Sequence, residues 1–278
     1  MLEWAVRILS VALLAWLFIA TYLYIFQRSI LYVPGPVAPP PSQTQASMAD
    51  AVTLKTADGL ELLAWWLAPP EDAAKVVVYF HGNAGNLQDR EVRVPMLQEA
   101  GFGALMVEWR GFGGNPGAPS QEGLLEDGRA ALAFLEARGI GPDRWVIYGE
   151  SLGSGVSFLL MAERLQQGLP GPALIVTEGA FTSAVDVAAK RYPFLPVRPL
   201  MKDHWNSMAA LPALSSVPLL VLHGQQDHII SPAMGRALLE AYPGPKRGHF
   251  PQEAKHVDLF MHGAVKQMVD FLAETSNR

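Results

Sequence analysis

Gly149-Glu150-Ser151-Leu152-Gly153 places a serine between glycines two positions before and two after it. In a G-x-S-x-G turn the serine sits in a strained strand-to-helix bend, and the glycines keep side chains out of the crowded backbone. The pattern recurs by chance, so its flanks decide its meaning. Val146, Ile147 and Tyr148 lead in as a buried strand would, and Val156, Leu159, Leu160 and Ala162 follow as an apolar helical run. Ser151 is therefore a candidate nucleophile. The alternative is a glycine-rich turn that carries an inert serine.

A serine hydroxyl is a weak nucleophile near neutral pH and needs a base in hydrogen-bond reach, itself oriented by an acid. The run Leu219-Leu220-Val221-Leu222-His223-Gly224-Gln225-Gln226-Asp227 puts Asp227 in a loop just after a buried strand, where a carboxylate can orient a base. His256 follows it in a loop before the last amphipathic helix. Asp227 could instead be a turn or cap residue. His249, at the end of a strand over residues 246–250, and His262, within the last helix, remain open as alternative bases. The order serine, aspartate, histidine is one of several chain orders used by such triads.

An acyl-transfer intermediate also needs N–H donors aimed at its oxyanion. Leu152, at the positive start of the helix after Ser151, offers one, and Asn83 in the loop His81-Gly82-Asn83-Ala84-Gly85-Asn86 offers a second. Gly82, Ala84 and Gly85 let that backbone approach a substrate. The same loop lacks the lysine and spacing of a phosphate-binding P-loop, and His81 reads as a hydrogen-bonding structural residue. The seven histidines show no metal-ligand spacing and there is no cysteine, so no metal or other cofactor is expected.

The elements that must position these groups are legible in the hydrophobic pattern. Val76-Val77-Val78-Tyr79-Phe80 is a continuous apolar run, as in a strand buried on both faces of a parallel sheet. Further strands are expected at 103–109, before Ser151, at 173–176 and at 217–222, alternating with helices near 90–100, 120–137, 232–242 and 257–273. Ser120 reads as the cap of the second of these helices. Strands alternating with helices predict an α/β fold with a mainly parallel sheet covered on both faces. Residues 52–56 and 62–67 flank Asp58-Gly59 as an edge hairpin, with Trp65 and Trp66 as packing residues.

Residues 8–27 carry no charge and are long enough to cross a bilayer, with Trp4, Tyr22 and Tyr24 at interfacial positions and Arg7 and Arg28 as brackets. The only small-x-small triplet, Ser10-Val11-Ala12, lies inside the apolar run, which favours an uncleaved anchor over a signal peptide. The chain divides into an anchor (1–28), a Pro-rich connector (29–50), stiff and then flexible, and a globular domain (51–278). The domain includes a cap-like insert at about 181–212, longer than a normal connection. The insert's four basic residues between 190 and 202 suit either an anionic membrane surface or a cap whose apolar residues close over a pocket. A net charge of −5 leaves no footprint for nucleic acid.

Taken together, His81-Gly82-Asn83-Ala84-Gly85-Asn86, Trp109-Arg110-Gly111-Phe112-Gly113, Tyr148-Gly149-Glu150-Ser151-Leu152-Gly153-Ser154-Gly155, His223-Gly224-x-x-Asp227, Lys255-His256-x-Asp258 and Gln27-Arg28-Ser29-Ile30-Leu31-Tyr32 resemble one family. They resemble the membrane-anchored α/β-hydrolase-domain serine hydrolases, the ABHD-type proteins and their bacterial relatives. The resemblance implies an α/β-hydrolase fold and a Ser151, Asp227, His256 triad. It implies hydrolysis of acyl ester, thioester or amide bonds, often in lipid or acylated substrates. It also implies one N-terminal transmembrane helix with the catalytic domain on the non-cytoplasmic side, and a structural role for Arg110. A peptidase of the same fold, or a binding protein without catalysis, is the alternative. Substrate identity does not transfer with the fold.

Overall fold

The computed structural model of the protein describes residues 1–276. In chain order its elements begin with α1 (Leu2–Leu31), β1 (Val33–Pro34), β2 (Asp50–Lys55), β3 (Glu61–Leu67), β4 (Val76–Phe80), β5 (Ala84–Gly85), α2 (Arg93–Glu99), β6 (Gly103–Val107) and α3 (Gln121–Glu136). They continue with β7 (Trp145–Glu150), α4 (Leu152–Gln166), β8 (Leu174–Glu178), α5 (Ala184–Arg191), α6 (Val197–Leu200), α7 (Ser207–Ala210), β9 (Leu219–Leu222), α8 (Pro232–Ala241), β10 (Lys246–His249) and α9 (Ala264–Ser276).

Eight strands form one sheet in the order β10-β9-β8-β7-β4-β6-β3-β2. Strands β4 and β6 to β10 pair in parallel, whereas β2 and β3 form an antiparallel hairpin that meets β6 in antiparallel register at one edge. Side chains alternate across the pleat, so Val76, Val78 and Phe80 face one apolar layer and Val77 and Tyr79 the other. The first layer is closed by Leu124, Ala131 and Leu135 of α3 and by Val156 and Leu160 of α4. The second is closed by Val94 and Leu97 of α2 and by Met268, Phe271 and Leu272 of α9. Both faces of the sheet are therefore dry, which is why β4 could dispense with polar alternation.

Chain order reverses between β4 and β7. The chain leaves β4 towards β6 on one side and returns as β7 on the other, so the loops after β4 and β7 diverge and open a crevice at the carboxyl edge of the sheet.

Two local expectations shift. The last helix begins at Ala264 rather than at 257, because Gly263 adopts φ 89° and separates α9 from a 3₁₀ turn at Leu259–His262. His262 thus ends that turn and lies outside the helix. The proline-rich connector does not hang free. Val33 N–H bonds to the Asn83 carbonyl, Gly35 to Gly85 and Ala38 to Gly113, and Tyr32, Ala38, Ala46 and Ala49 are buried. Proline-rich chain cannot join a sheet interior, yet its fixed φ leaves the remaining N–H groups in register to bond a neighbouring loop.

Candidate active site

Ser151 stands at the end of β7 with φ 48° and ψ −111°, a conformation L-residues avoid. Its backbone is held there: Ser151 N–H donates to the Glu178 carbonyl at 2.7 Å, and the Ser151 carbonyl accepts from the Ser154 hydroxyl at 2.6 Å. The flanking glycines are required by space. A Cβ at Gly149 would lie 2.5 Å from Ser154 Cα, and one at Gly153 would overlap the Phe80 carbonyl of the adjacent strand.

The structure brings Ser151, His256 and Asp227 into one hydrogen-bonded chain. His256 Nε2 lies 2.9 Å from Ser151 Oγ and His256 Nδ1 2.6 Å from Asp227 Oδ2. A carboxylate only accepts, so Nδ1 carries the proton toward Asp227 and Nε2 is left to accept from the serine hydroxyl. The other Asp227 oxygen accepts from the Ile229 and Ile230 N–H groups at 2.9 and 2.8 Å. Burial opposes ionisation of Asp227, but hydrogen bonds from His223 and His256 outweigh it and hold the carboxyl well below the usual carboxylate range. His249 is engaged elsewhere, with Nε2 on the His262 carbonyl at 2.9 Å.

His223 was not singled out by sequence beyond its motif. It is fully buried, and its Nε2–H lies 3.0 Å from both the Ile230 carbonyl and Asp227 Oδ2. Its Nδ1 has no partner among the described residues, as suits the tautomer protonated at Nε2. The only sequence signal was its place four residues before the acid.

A second buried group lies under the turn. Glu150 accepts from Tyr79 at 2.5 Å, from Arg90 at 2.6 Å, from Gly82 N–H at 3.0 Å, and from Arg93. Burial would raise its carboxyl, but the guanidiniums of Arg93 and Arg90 bring it down to about 2. Arg93 also donates to the Val257 carbonyl at 2.8 Å, beside His256. Neighbouring Glu178 is raised by burial against the pull of Arg93, while accepting from Tyr148 and from Leu259 N–H at 2.8 Å each. No local periodicity marks Arg90 and Arg93 within the helix expected near 90–100. His81 is buried between the Gly82 carbonyl and Glu108, and Arg110 between Asp127 and Asp58.

Above Ser151 opens a cavity of about 270 Å³ that also meets Asn83 and Leu152, the residues expected to offer oxyanion donors. The Asn83 side chain donates to the Leu31 carbonyl at 2.7 Å, which fixes that loop against the end of α1. Phe181, Val187, Leu195, Val197 and Leu200, all within 181–212, line the cavity. Among the described residues its lining holds no carboxylate, and Arg191 is its single charged residue.

The fold and this crevice define an α/β-hydrolase. The alpha/beta hydrolase fold family matches residues 75–203. An uncharacterized Mycobacterium tuberculosis protein is 32% identical over 231 residues, covering 82% of this chain and 80% of the relative. The alpha/beta hydrolase domain-containing protein WAV2 of Arabidopsis thaliana is 30% identical over 231 residues, covering 74% of this chain and 72% of WAV2. The chain belongs to the α/β-hydrolase family. Among solved structures, an esterase of Pyrococcus furiosus superposes with a TM-score of 0.67 at 17% identity, over 87% of this chain and 97% of the esterase. At that identity the likeness speaks for the fold alone.

Proposed function

We propose that the protein is a membrane-anchored serine hydrolase that cleaves acyl esters or thioesters through an acyl-enzyme. The observation that carries this reading is the continuous Ser151–His256–Asp227 chain beneath an apolar, carboxylate-free cavity. Ser151 Oγ attacks the acyl carbon while His256 Nε2 takes its proton, and Asp227 holds the imidazole and stabilises the imidazolium. The oxyanion is received by the N–H groups of Leu152 and Asn83, the former at the positive end of α4. His256 then protonates the leaving oxygen or sulfur, and afterwards draws a proton from the water that releases the acid. Among the described residues no carboxylate lines the cavity to hold a free amine, as an aminopeptidase site would need.

α1 is 30 residues long, has no buried residue and has the length and hydropathy to cross a membrane. In this reading residues 1–28 are a single-pass anchor, 29–50 the connector and 51–278 the catalytic domain on the non-cytoplasmic side. Labelling with a fluorophosphonate, which reacts with an activated serine, tests the site. Wild type is expected to label and Ser151→Ala and His256→Ala to remain blank. A folded wild type that stays unlabelled in a membrane mimic would favour a non-catalytic binding protein.

A further inference from the structure

α1 is not only a tether. Its half-buried residues, among those described, are Trp16, Ala20, Leu23, Gln27 and Leu31, spaced three and four apart on one face, while the rest of the helix is exposed. That same face supplies Ala20, Leu23, Tyr24, Gln27, Ile30 and Leu31 to the cavity above Ser151.

The helix is fastened to the cap along this face. Trp16 Nε1 donates to the Phe194 carbonyl at 3.0 Å, and Gln27 donates to the Leu200 carbonyl at 3.1 Å while accepting from Lys202 N–H at 2.7 Å. Arg28 grips Asp203 with two nitrogens at 2.9 and 3.0 Å.

The fastening fixes how deep the cap sits. Helix N-terminal to Trp16 rises only about 21 Å at about 1.5 Å per residue. The hydrocarbon core measures ~30 Å. A spanning α1 therefore takes the turns carrying Trp16 and Ala20 into the bilayer, and the cap tip at Phe194 goes with them. Phe194 is 56% exposed, as suits a side chain facing lipid. The cavity opens beside this helix: Tyr24, Ile30 and Ile229 line it and are still 44%, 42% and 70% exposed. An apolar rim of this kind is costly in water and at home against acyl chains. Lys202, 4.8 Å from the Tyr24 ring, and the exposed Arg191 and Arg198 stand where headgroups would be.

We infer that α1 is one wall of the acyl pocket and that the substrate is a long-chain lipid ester already in the bilayer, which slides its chain sideways along α1 to Ser151. The inference rests on the serine hydrolase reading and deepens it. A water-soluble short-chain ester would use Ser151 without this wall.

The test uses the full chain in phosphatidylglycerol-containing nanodiscs with two probes, membrane-embedded p-nitrophenyl palmitate and soluble p-nitrophenyl acetate. Leu23→Trp fills the cavity from the helix side, Ala20→Leu fills it more gently, and Ile25→Trp changes the lipid-facing side. Leu23→Trp is expected to cut palmitate turnover by roughly tenfold or more, the scale on which misfit in an apolar pocket is felt. Acetate turnover should fall far less than palmitate turnover, with Ala20→Leu showing the same split and Ile25→Trp altering neither. If both cavity variants leave the palmitate rate intact, or lower the two esters equally, the wall role is overturned. Failure of wild type to turn over either ester would instead remove the hydrolase reading, and the inference with it.

Discussion

Arg93 joins the two halves of the site: one guanidinium nitrogen binds Glu150, the residue before Ser151, and another holds the carbonyl of Val257, the residue after His256. The nucleophile turn and the histidine loop are far apart in sequence, and this buried arginine fixes their separation from below. Glu150 extends the same network to Gly82 N–H in the loop of Asn83. Three loops that must keep sub-ångström register thus share one charge cluster.

Glu150→Gln would leave the buried guanidiniums of Arg90 and Arg93 without their counter-charge. Thermal or denaturant unfolding should show a loss of about 3–5 kcal/mol near neutral pH. The folded carboxyl lies at about 2, below its ordinary 4.5, so the native state binds fewer protons than the unfolded chain. Its stabilisation is therefore present above pH 4.5 and drains away as pH falls toward about 2. The stability gap between wild type and Glu150→Gln should narrow over that window, and a constant gap would show that the charge is not the cause.

His223→Leu removes one of two imidazoles bonded to Asp227 while leaving Ser151 and His256 in place. A hydrogen bond to a charged group is worth about 1.5–3 kcal/mol, so kcat is expected to fall roughly 10- to 100-fold, less than the ~10⁴ expected for Asp227→Asn. Esterase kinetics on a soluble ester would show it. His223→Gln, which can still donate, should recover part of the loss, and equal loss in both variants would assign His223 to packing alone.

Arg28→Ala cuts the ion pair between α1 and the segment that carries Asp203. Asp203 is buried but Arg28 is 48% exposed, so solvent screening holds the cost to about 1 kcal/mol or less. The cap should open locally, seen as faster proteolysis within residues 190–203 with the sheet intact. Unchanged cleavage would mean that Gln27 and Trp16 hold the cap unaided.

Much of this was legible in the chain. The all-apolar β4 and the G-x-S-x-G turn were local signals, because burial on two faces and a crowded turn each select residue types within a few positions. The helix over 257–273 was placed too early, since an apolar pattern continues through the 3₁₀ turn and only the positive φ of Gly263 separates the two. The bonds that the stiff, then flexible, connector makes at Val33, Gly35 and Ala38 were not legible for a related reason: composition reports what proline avoids, not which neighbouring loop will accept a hydrogen bond.

By itself, then, the sequence marked the long strands of the sheet and most of the helices that cover it, and which serine could be forced into a strained turn. Only the tertiary structure decided that His256, not His249, meets a serine 105 positions away, that Arg93 is buried beneath them, and that one face of α1 lines the cavity. The physical reason is range. Backbone periodicity and turn chemistry act between near neighbours, whereas these contacts depend on strand order in the sheet and on how a cap folds back across it. α1 adds a further difficulty, because a helix with the hydropathy to cross a membrane and a helix that lines an apolar cavity use the same residue types.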